Sequence, residues 1–590
     1  MIRIDYRLLA ISPLLLAFGG FLLLRASAAD PTAWIERSNT NAQPLLDYFA
    51  RYEPEYGTTL GLENFDEQVK DLKPDVYQRS RADGERVLQG LLAEAKVETD
   101  PKIREDLEIM ITALTNKLES ARLNYELMLP YYNVPENVFE GLRSLLDLRN
   151  SSARQAKAIT RLKRYAGLES SYEPITQLAE ARLSERFENQ HLVGPYIEEV
   201  NQGLNNTEQF ISGIADLFKT AKLTGWEEAQ QKLAEQLRSY AVWVKKEIVR
   251  RARQTNVLPE AIYADNLKTF GVNLDPRTLI ERASFEFIEM RDEMQVLADQ
   301  VARQQKFPSS DYRNVIRELK KRQVPADAIL PFYQRRLQEI EKLVREHDIV
   351  TLPARPAGIR LASEAESAAV PAPHFLPPRL LGNRGEYGEF VLPLGNPNSK
   401  SGVVLDDFTN EAFSWTVTAH EARPGHDLQF AAMIETGVSI PRAVFAFNSA
   451  NVEGWALYME AVMKPYEPLD GQLLALDARM FRAARAFLDP MLNLGLLKPD
   501  QARDFLTQEV VLSEPLAAEE LDRYTFKEPG QATSYFYGYM KLRELRARAE
   551  LALRGKFNQK AFHDFPLRQG LLPPELLVKA VANEFIPQYQ

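Results

Sequence analysis

The sequence contains no cysteine. This absence excludes disulfide bonds, thiol catalysis, thiolate metal ligands and a lipid-linked N-terminal cysteine. Histidine is also scarce, with 6 residues in 590, so any metal must be held by a few imidazoles together with Asp or Glu. No region is strongly basic, and the balance of 72 Lys+Arg against 82 Asp+Glu gives a formal net charge of −10. The composition therefore predicts no nucleic-acid partner.

The first residues carry a long apolar run. Arg3 and Arg7 precede the run from Leu8 to Leu24, and the tripeptide Ala26-Ser27-Ala28 follows it. This pattern is typical of a signal peptide, residues 1–28, that is cleaved during export to a periplasm-like compartment. The alternative is an N-terminal membrane anchor, because the run reaches the roughly 17 residues that a span requires. No other stretch is as apolar, so we expect no membrane span in the mature chain.

Residues 29–350 are dominated by helical patterns, which predicts a mainly α protein. At 590 residues the chain is long enough for two or more subdomains. Two apolar stripes at helical spacing predict buried seams. The first comprises Ile280, Ala283, Phe287, Met290, Met294, Leu297 and Val301, and the second comprises Leu233, Leu237, Tyr240, Ala241, Val244 and Ile248.

The helical sequence pattern stops between residues 351 and 385, where prolines are too frequent for a continuous helix. We interpret this segment as a crossing between the helical N-terminal region and a C-terminal region, residues 386–590. Two short apolar runs, Glu389–Leu394 and Ser401–Leu405, are flanked by Gly, Pro and Asn. They predict strands of a small β-sheet near the motif that follows.

That motif is HEARPGH, residues 420–426. In the zinc-peptidase pattern H-E-x-x-H, the histidines lie four residues apart on one helix face. Here His426 follows His420 by six residues, which in an unbroken helix places it about 240° around the axis. Pro424 clashes with the carbonyl of His420, and Gly425 gives the backbone freedom to turn back. The sequence therefore predicts a broken helix that returns His426 to the face of His420.

The next predicted helix offers a third ligand. Glu453 and Glu460 lie two turns apart on one face of it. Two histidines, one glutamate and an open position form a catalytic zinc arrangement, and imidazole and carboxylate ligands suit Zn²⁺. We predict that His420, His426 and Glu453 bind Zn²⁺, and that Glu460 or Asp427 orients an imidazole by accepting its second N–H. The choice between Glu453 and Glu460 as third ligand stays open.

Glu421 follows the first histidine directly. A rotation of about 100° from His420 turns its carboxylate towards a water at the open position rather than towards the metal. We therefore predict that Glu421 is the general base, which accepts a proton from that water and returns it to the leaving group.

Three stretches resemble the DUF885 family, bacterial proteins grouped with the gluzincin-like metallopeptidases. They are HEARPGHDLQ at 420–429, EGWALYME at 453–460 and PGQATSYFYGYMKLRELR at 529–546, with a weaker match, YEPEYGTTLG, at 52–61. Together they cover most of the mature chain and are more specific than the two histidines alone. The family pattern often has a second histidine after the Pro-Gly-His, where this chain has Asp427. His426 is thus left as the second imidazole ligand.

The resemblance implies a peptidase with a large helical, cleft-containing gluzincin-like fold. Such an enzyme would hydrolyse short peptides. In related gluzincins a tyrosine from a C-terminal helix lies where the oxyanion forms. Tyr535 occupies the matching position here and Tyr537 is the second choice, although an aromatic core stripe is the alternative for both. Lys541 and Arg546 are candidates for binding a peptide's C-terminal carboxylate, or they form a basic helix face.

Two other functions fit the same residues. The protein is either a non-catalytic envelope protein that binds peptides, or a zinc amidase or esterase, because activated water does not itself select the acyl group. The presence of Glu421 favours an enzyme. The sequence does not distinguish an exopeptidase from an endopeptidase.

Overall fold

The computed structural model describes residues 33–325, 327–362, 367, 372–383, 385–393 and 406–590. The predicted signal peptide and the predicted strand at 401–405 lie outside these residues. The described chain is mainly helical with one small sheet. No described helix combines the length and the apolar character that a bilayer span needs.

Helices fill the chain from Ala33 to Glu346. Several begin at a side-chain cap followed by proline, which suits the first helical turn. Asp275, for example, accepts hydrogen bonds from the backbone N–H groups of Arg277 and Thr278, and Pro276 directly follows it as the first residue of the helix. The helices are α1 Ala33–Tyr52, α2 Pro54–Leu60, α3 Val76–Val97, α4 Pro101–Leu127, α5 Val134–Leu145, α6 Ser152–Tyr165, α7 Ile175–Ser184, α8 Ile197–Thr220, α9 Glu227–Glu247, α10 Glu260–Thr269, α11 Pro276–Gln305, α12 Tyr312–Lys320 and α13 Ile329–Glu346.

Both predicted seams face the interior. In α11 the predicted residues are buried except Ile280 and Leu297, which are partly buried against the same core. In α9 and the residue after it they are buried except Ala241, which is half-buried. The α9 seam belongs to a core formed by α5 to α9, whereas the α11 seam belongs to a larger core shared with the C-terminal helices.

A three-stranded sheet lies between the two helical parts. Its strands are β1 Gly358–Leu361, β2 His374–Leu376 and β3 Glu389–Leu392, in the order β1-β3-β2. The central β3 is parallel to β1 and antiparallel to β2. β3 confirms the strand predicted at its position, but β1 and β2 lie in the proline-rich segment, where the sequence predicted none. Strands of three or four residues gain their stability from pairing with β3, a long-range contact that local composition does not reveal.

The C-terminal part is again helical. Its helices are α14 Ser414–Glu421, α15 His426–Thr436, α16 Ser449–Met463, α17 Leu469–Asn493, α18 Pro499–Gln508, α19 Glu514–Asp522, α20 Thr533–Leu553, α21 Gln559–Arg568, α22 Pro574–Ala580 and α23 Ile586–Tyr589.

Two glycines allow α16 and α20 to cross at backbone contact. A Cβ on Gly454 would lie 2.5 Å from the Cα of Gly538, and a Cβ on Gly538 would lie 1.8 Å from the carbonyl oxygen of Ala450. Gly454 follows Glu453, and Gly538 lies three residues after Tyr535. The crossing therefore holds these two side chains in the same part of the molecule.

Candidate metal centre

The helix carrying His420 is interrupted as the sequence predicts. α14 ends at Glu421 and α15 begins at His426. A Cβ on Gly425 would lie 1.9 Å from the carbonyl oxygen of His420, so any side chain at this position would prevent the chain from folding back. The indole N–H of Trp455 donates to the carbonyl of Pro424 at 3.1 Å and ties the break to α16.

Arg423, within the interruption, links it to Asp427 and to two other segments of the chain. It is fully buried, and its Nε donates to Asp427 at 2.8 Å. Its Nη1 donates to Glu341 of α13 at 2.7 Å and to the carbonyl of Arg355 at 2.9 Å. Asp427 therefore binds a guanidinium group rather than an imidazole. Its predicted role beside a histidine is wrong, because Arg423, in the interruption between α14 and α15, takes its carboxylate.

The two histidines meet at one carboxylate oxygen. His420 and His426 are 3% and 6% exposed, and their ring planes cross at 85° with centroids 4.8 Å apart. The Nε2 atom of each ring lies 3.4 Å from Oε2 of Glu453. These distances exceed the roughly 2.7–2.9 Å of a charge-assisted hydrogen bond. Oε2 of Glu453 is therefore within ion-pair distance of both imidazoles without a short hydrogen bond to either.

Glu460 lies on the opposite side of the His420 ring. Its Oε1 is 2.6 Å from Nδ1 of His420, and its Oε2 accepts the hydroxyl hydrogen of Thr416. The structure thus separates the two glutamates whose roles the sequence left open. Glu453 faces both Nε2 atoms, whereas Glu460 fixes the orientation of one imidazole.

The charges of these groups depend on one another. Burial alone lowers the pKa of His420, but the carboxylates of Glu453 and Glu460 outweigh it and raise the pKa to about 9. Burial raises the pKa of Glu453, but the two imidazoles hold it well below its usual range. Burial also raises the pKa of Glu460, but the charges of Arg482 and His420 outweigh this effect and lower the pKa. Both carboxylates are therefore ionised at neutral pH, as ligation and imidazole orientation require.

Glu421 lies beside the histidines and is held by the sheet. A ligand atom of its carboxylate lies within 4.8 Å of ligand atoms of both His420 and His426. Its Oε2 accepts the backbone N–H of Phe375 in β2 at 2.8 Å. The edge of the small sheet thereby fixes one carboxylate oxygen of Glu421.

Tyr535 lies against His420. The two rings are nearly parallel, at 16°, with centroids 6.4 Å apart. The guanidinium of Arg485 lies 4.7 Å from the centre of the tyrosine ring, and Glu520 holds that guanidinium through two hydrogen bonds of 2.7 and 2.6 Å. Burial and the charge of Glu453 raise the pKa of Tyr535. Its hydroxyl therefore stays protonated at neutral pH and can donate a hydrogen bond.

The structure does not bring Tyr537 to this cluster. Two residues along a helix correspond to a turn of about 200°, so Tyr537 leaves α20 on the side opposite Tyr535. Its hydroxyl donates to Glu575 at 3.2 Å. The prediction that Tyr537 serves as the alternative catalytic tyrosine is therefore wrong.

The predicted peptide-binding cations also have partners elsewhere. Lys541 lies 3.4 Å from Glu544, and Arg546 donates to Glu550 at 2.7 Å and to Gln559 at 2.9 Å. Neither residue lines the large cavity described next. The alternative that they form a charged helix face agrees better with these contacts.

A cavity of about 860 Å³ reaches the centre at Glu453. Its walls come from both helical parts of the chain. α1, α2 and α4 contribute residues that include Phe49, Tyr56 and Lys117, and the C-terminal part contributes Phe447 and the first turn of α16. The volume falls within the roughly 300–1,000 Å³ of small-molecule sites.

Fold and centre together define a mainly helical protein with two buried histidines and two glutamates beside a small sheet. The chain belongs to the DUF885 family, described as bacterial proteins of unknown function, whose family model matches residues 54–581.

Two solved structures have a similar fold. A candidate lipoprotein from Colwellia psychrerythraea has a TM-score of 0.75 and 18% identity, and the match covers 94% of this chain and all of that one. A candidate lipoprotein of unknown function from Shewanella oneidensis has a TM-score of 0.70 and 18% identity, over 93% of this chain and all of the other. At this identity the likeness shows the fold alone. No curated protein matches the chain in sequence.

Sequence reasoning missed three residues that support the centre. Arg423 lies inside the HEARPGH motif, four residues before Asp427, and the opposite charges at this short spacing were a signal for their ion pair. Thr416 lies on the same helix face as His420, one turn earlier. Phe375 acts through its backbone N–H, so its side chain carries no signal of the contact with Glu421.

Proposed function

We propose that this chain is a zinc-dependent hydrolase of peptide bonds in short peptides, with a gluzincin-like active centre. One observation carries the proposal, namely the equal 3.4 Å distances from Glu453 to the two Nε2 atoms. Donors about 2.0–2.1 Å from a tetrahedral zinc ion lie about 3.4 Å from one another. His420, His426 and Glu453 would therefore hold the ion, with Glu453 already at the ligand spacing from each imidazole, and Glu460 would act as the imidazole-orienting carboxylate that such sites use.

Zinc bound here would polarise the scissile carbonyl and make an attacking water more acidic. In the proposed reaction Glu421 accepts the proton of that water and delivers it to the departing amine. The N–H of Phe375 fixes one oxygen of Glu421, so the carboxylate keeps its orientation while the proton moves.

Tyr535 is assigned the stabilisation of negative charge on the former carbonyl oxygen. A neutral tyrosine hydroxyl donates to an oxyanion more strongly than to the uncharged carbonyl, so it acts mainly on the transition state. The stacking of Tyr535 on His420 supports this assignment, because it places the ring at the edge of the centre.

Short peptides are the proposed substrates because the cavity at Glu453 is bounded by helices of both parts. A peptide segment enters such a space, whereas a folded domain does not. An amide or ester of similar size would meet the same groups, so amidase and esterase activities belong to the same proposal.

We also propose that the chain is exported. The apolar run from Leu8 to Leu24, after two arginines, is the basis for this, and both solved structures of the same fold are described as candidate lipoproteins. The chain has no cysteine and so cannot carry a lipid on one.

The decisive experiment combines metal analysis of the purified protein with digestion of a peptide library. The proposal expects about one zinc per chain and cleavage of some library peptides that stops on chelation and returns with zinc. A zinc-loaded protein that binds library peptides and cleaves none would instead support a non-catalytic peptide-binding protein.

A further inference from the structure

A second cavity, of about 620 Å³, is lined by none of the residues of the candidate metal centre. Its lining comes from α3, α4, α7, α8 and α10 and from the segment before α20. It shares no lining residue with the cavity at Glu453. Its volume is also typical of a small-molecule site.

Three extended segments form a fixed wall of this second cavity. The residues after α4 pair with those before α8, through hydrogen bonds of 2.9 Å that link Val193 to Leu127 and Leu129. Arg253 pairs with the same stretch, donating its N–H to the carbonyl of Pro195 at 2.9 Å. A Cβ on Gly194 would lie 2.0 Å from the carbonyl oxygen of Arg251, so glycine is needed for this close approach.

Two charged groups face this cavity without pairing. Arg253 uses Nη1 to bind the carbonyl of Gly194 at 2.7 Å, and its Nε has no hydrogen-bond partner in the described part of the chain. Glu199, in the first turn of α8, lines the same cavity. Among the described residues, neither group forms an ion pair. Burial raises the pKa of Glu199 to about 7, against the opposing effects of Arg253 and a backbone N–H, and burial lowers the pKa of Arg253.

Further cationic and aromatic groups line the same space. Arg182, which is 8% exposed, pairs with Glu185 through Nη2 at 2.6 Å, but its Nε and Nη1 lack hydrogen-bond partners within the described ranges. Tyr77 and Tyr125 stack with centroids 3.9 Å apart, and the guanidinium of Arg186 lies 4.0 Å from the Tyr125 ring. The cavity thus has a guanidinium and a carboxyl group that form no direct ion pair within the described ranges, beside an aromatic wall.

We propose that this second cavity binds a small α-amino-acid zwitterion with an aromatic side chain, its carboxylate on Arg253 and its ammonium group on Glu199. Arg253 and Glu199 attract each other but form no direct ion pair, so each keeps hydrogen-bonding capacity that a ligand with both a carboxylate and an ammonium group can satisfy. A simple anion would pair with Arg253 but repel the Glu199 carboxylate, and a simple cation would pair with Glu199 but repel the Arg253 guanidinium. The tyrosines provide the apolar contact for the side chain.

L-phenylalanine is a suitable probe because it has no peptide bond and is not a substrate of the proposed hydrolase. Calorimetric titration of the full chain should give one binding site. 3-Phenylpropanoate, which lacks the ammonium group, and 2-phenylethylamine, which lacks the carboxylate, have no hydrolysable bond and should each bind about tenfold more weakly or worse, since each loses a charge-assisted hydrogen bond.

Substitutions assign the binding to this cavity. Glu199→Gln should weaken binding of L-phenylalanine about tenfold or more and leave the weak binding of 3-phenylpropanoate unchanged. Glu208→Gln is the matched control, because Glu208 lies on the same helix in an exposed pair with Arg238, and it should have no effect. Arg253→Met should weaken binding of L-phenylalanine but not of 2-phenylethylamine.

Three results would overturn the assignment. They are no binding heat at millimolar L-phenylalanine, equal affinity for 3-phenylpropanoate and 2-phenylethylamine, and binding that survives Glu199→Gln but disappears in Glu453→Ala. The last would place the amino acid at the candidate metal centre. If Arg253→Met fails to fold, the Glu199→Gln and Glu208→Gln comparison still decides the question.

Discussion

Glu453 and Glu460 differ in which side of His420 they face, and this difference can be measured. Glu453→Ala removes the oxygen that lies 3.4 Å from both Nε2 atoms, so we expect stoichiometric zinc binding to be lost. Glu460→Gln removes a charge that orients one imidazole, and such changes typically weaken metal affinity about 10–100-fold. Competitive titration against a chelator measures both effects. Equal loss in the two variants would contradict the assignment of Glu453 as the ligand.

Glu421→Gln separates an enzyme from a binding protein. The amide keeps the shape of the side chain and still accepts the N–H of Phe375, but it cannot take up a proton at neutral pH. On the proposed mechanism hydrolysis should fall by about 10²–10⁴ while zinc content and peptide binding persist. Rates must be compared at matched zinc content. A variant as active as the parent would show that Glu421 is not the general base.

Tyr535→Phe should lower kcat much more than it raises KM. An oxyanion donor acts in the transition state, and removal of one typically costs about 10²–10³ in rate. Tyr537→Phe is the matched control, since the Tyr537 hydroxyl binds Glu575 on the other side of the same helix. Steady-state kinetics of both variants on one peptide make the comparison. Loss of activity only in Tyr537→Phe would reverse the assignment.

At the residue scale, the sequence predicted groups whose chemistry is carried by residue type and local spacing. The break between His420 and His426 follows from Pro424 and Gly425 alone. The partner of Asp427 did not follow, because Arg423 competes with the imidazoles for its carboxylate and only packing decides between them. Charged residues of α20 were equally ambiguous, because a helix face that binds a ligand and one that faces solvent have the same spacing.

The crossing of α16 and α20 is the element-scale contact that brings Tyr535 near Glu453. Gly538→Ala places a Cβ 1.8 Å from the carbonyl oxygen of Ala450, so the helices must separate. We expect a loss of about 1–3 kcal/mol or more in the free energy of unfolding, together with weaker zinc binding. Denaturant unfolding and zinc titration measure the two effects.

Gly90→Ala is the control for that substitution. Gly90 lies inside α3, and a Cβ there meets no atom within 4 Å. Alanine at such a helical position should stabilise the protein by about 0.4–1 kcal/mol, mainly by restricting the unfolded chain. If Gly538→Ala were as well tolerated as Gly90→Ala, the close crossing would not be what positions Tyr535.

Helices were more predictable than strands for a physical reason. The apolar residues of the α9 and α11 seams recur at helical spacing over many residues. The pattern therefore stays recognisable even though a few of these residues are only partly buried. β1 and β2 have four and three residues, too few for a period to emerge, and β3 supplies their stability from elsewhere in the chain. The sheet edge that holds Glu421 was therefore beyond local inference.

At the scale of the whole molecule, the two helical parts meet at the candidate centre. The ligands come from α14, α15 and α16, whereas α1, α2 and α4 of the N-terminal part close one side of the cavity at Glu453. On this arrangement the C-terminal part supplies the chemistry, and the N-terminal helices limit what reaches it.

This division predicts selection by substrate size. Peptides of increasing length that share one cleavable sequence should be hydrolysed with falling kcat/KM once the added residues no longer fit between the two helical parts. The same sequence placed in a folded host domain should resist cleavage, because a folded domain cannot enter a cavity of about 860 Å³. Mass spectrometry of timed digests gives the rates, and an unfolded host of equal length separates the effect of folding from that of length. Equal cleavage of the peptide and the folded host would mean that the N-terminal helices do not guard the centre, or that they move aside during each turnover.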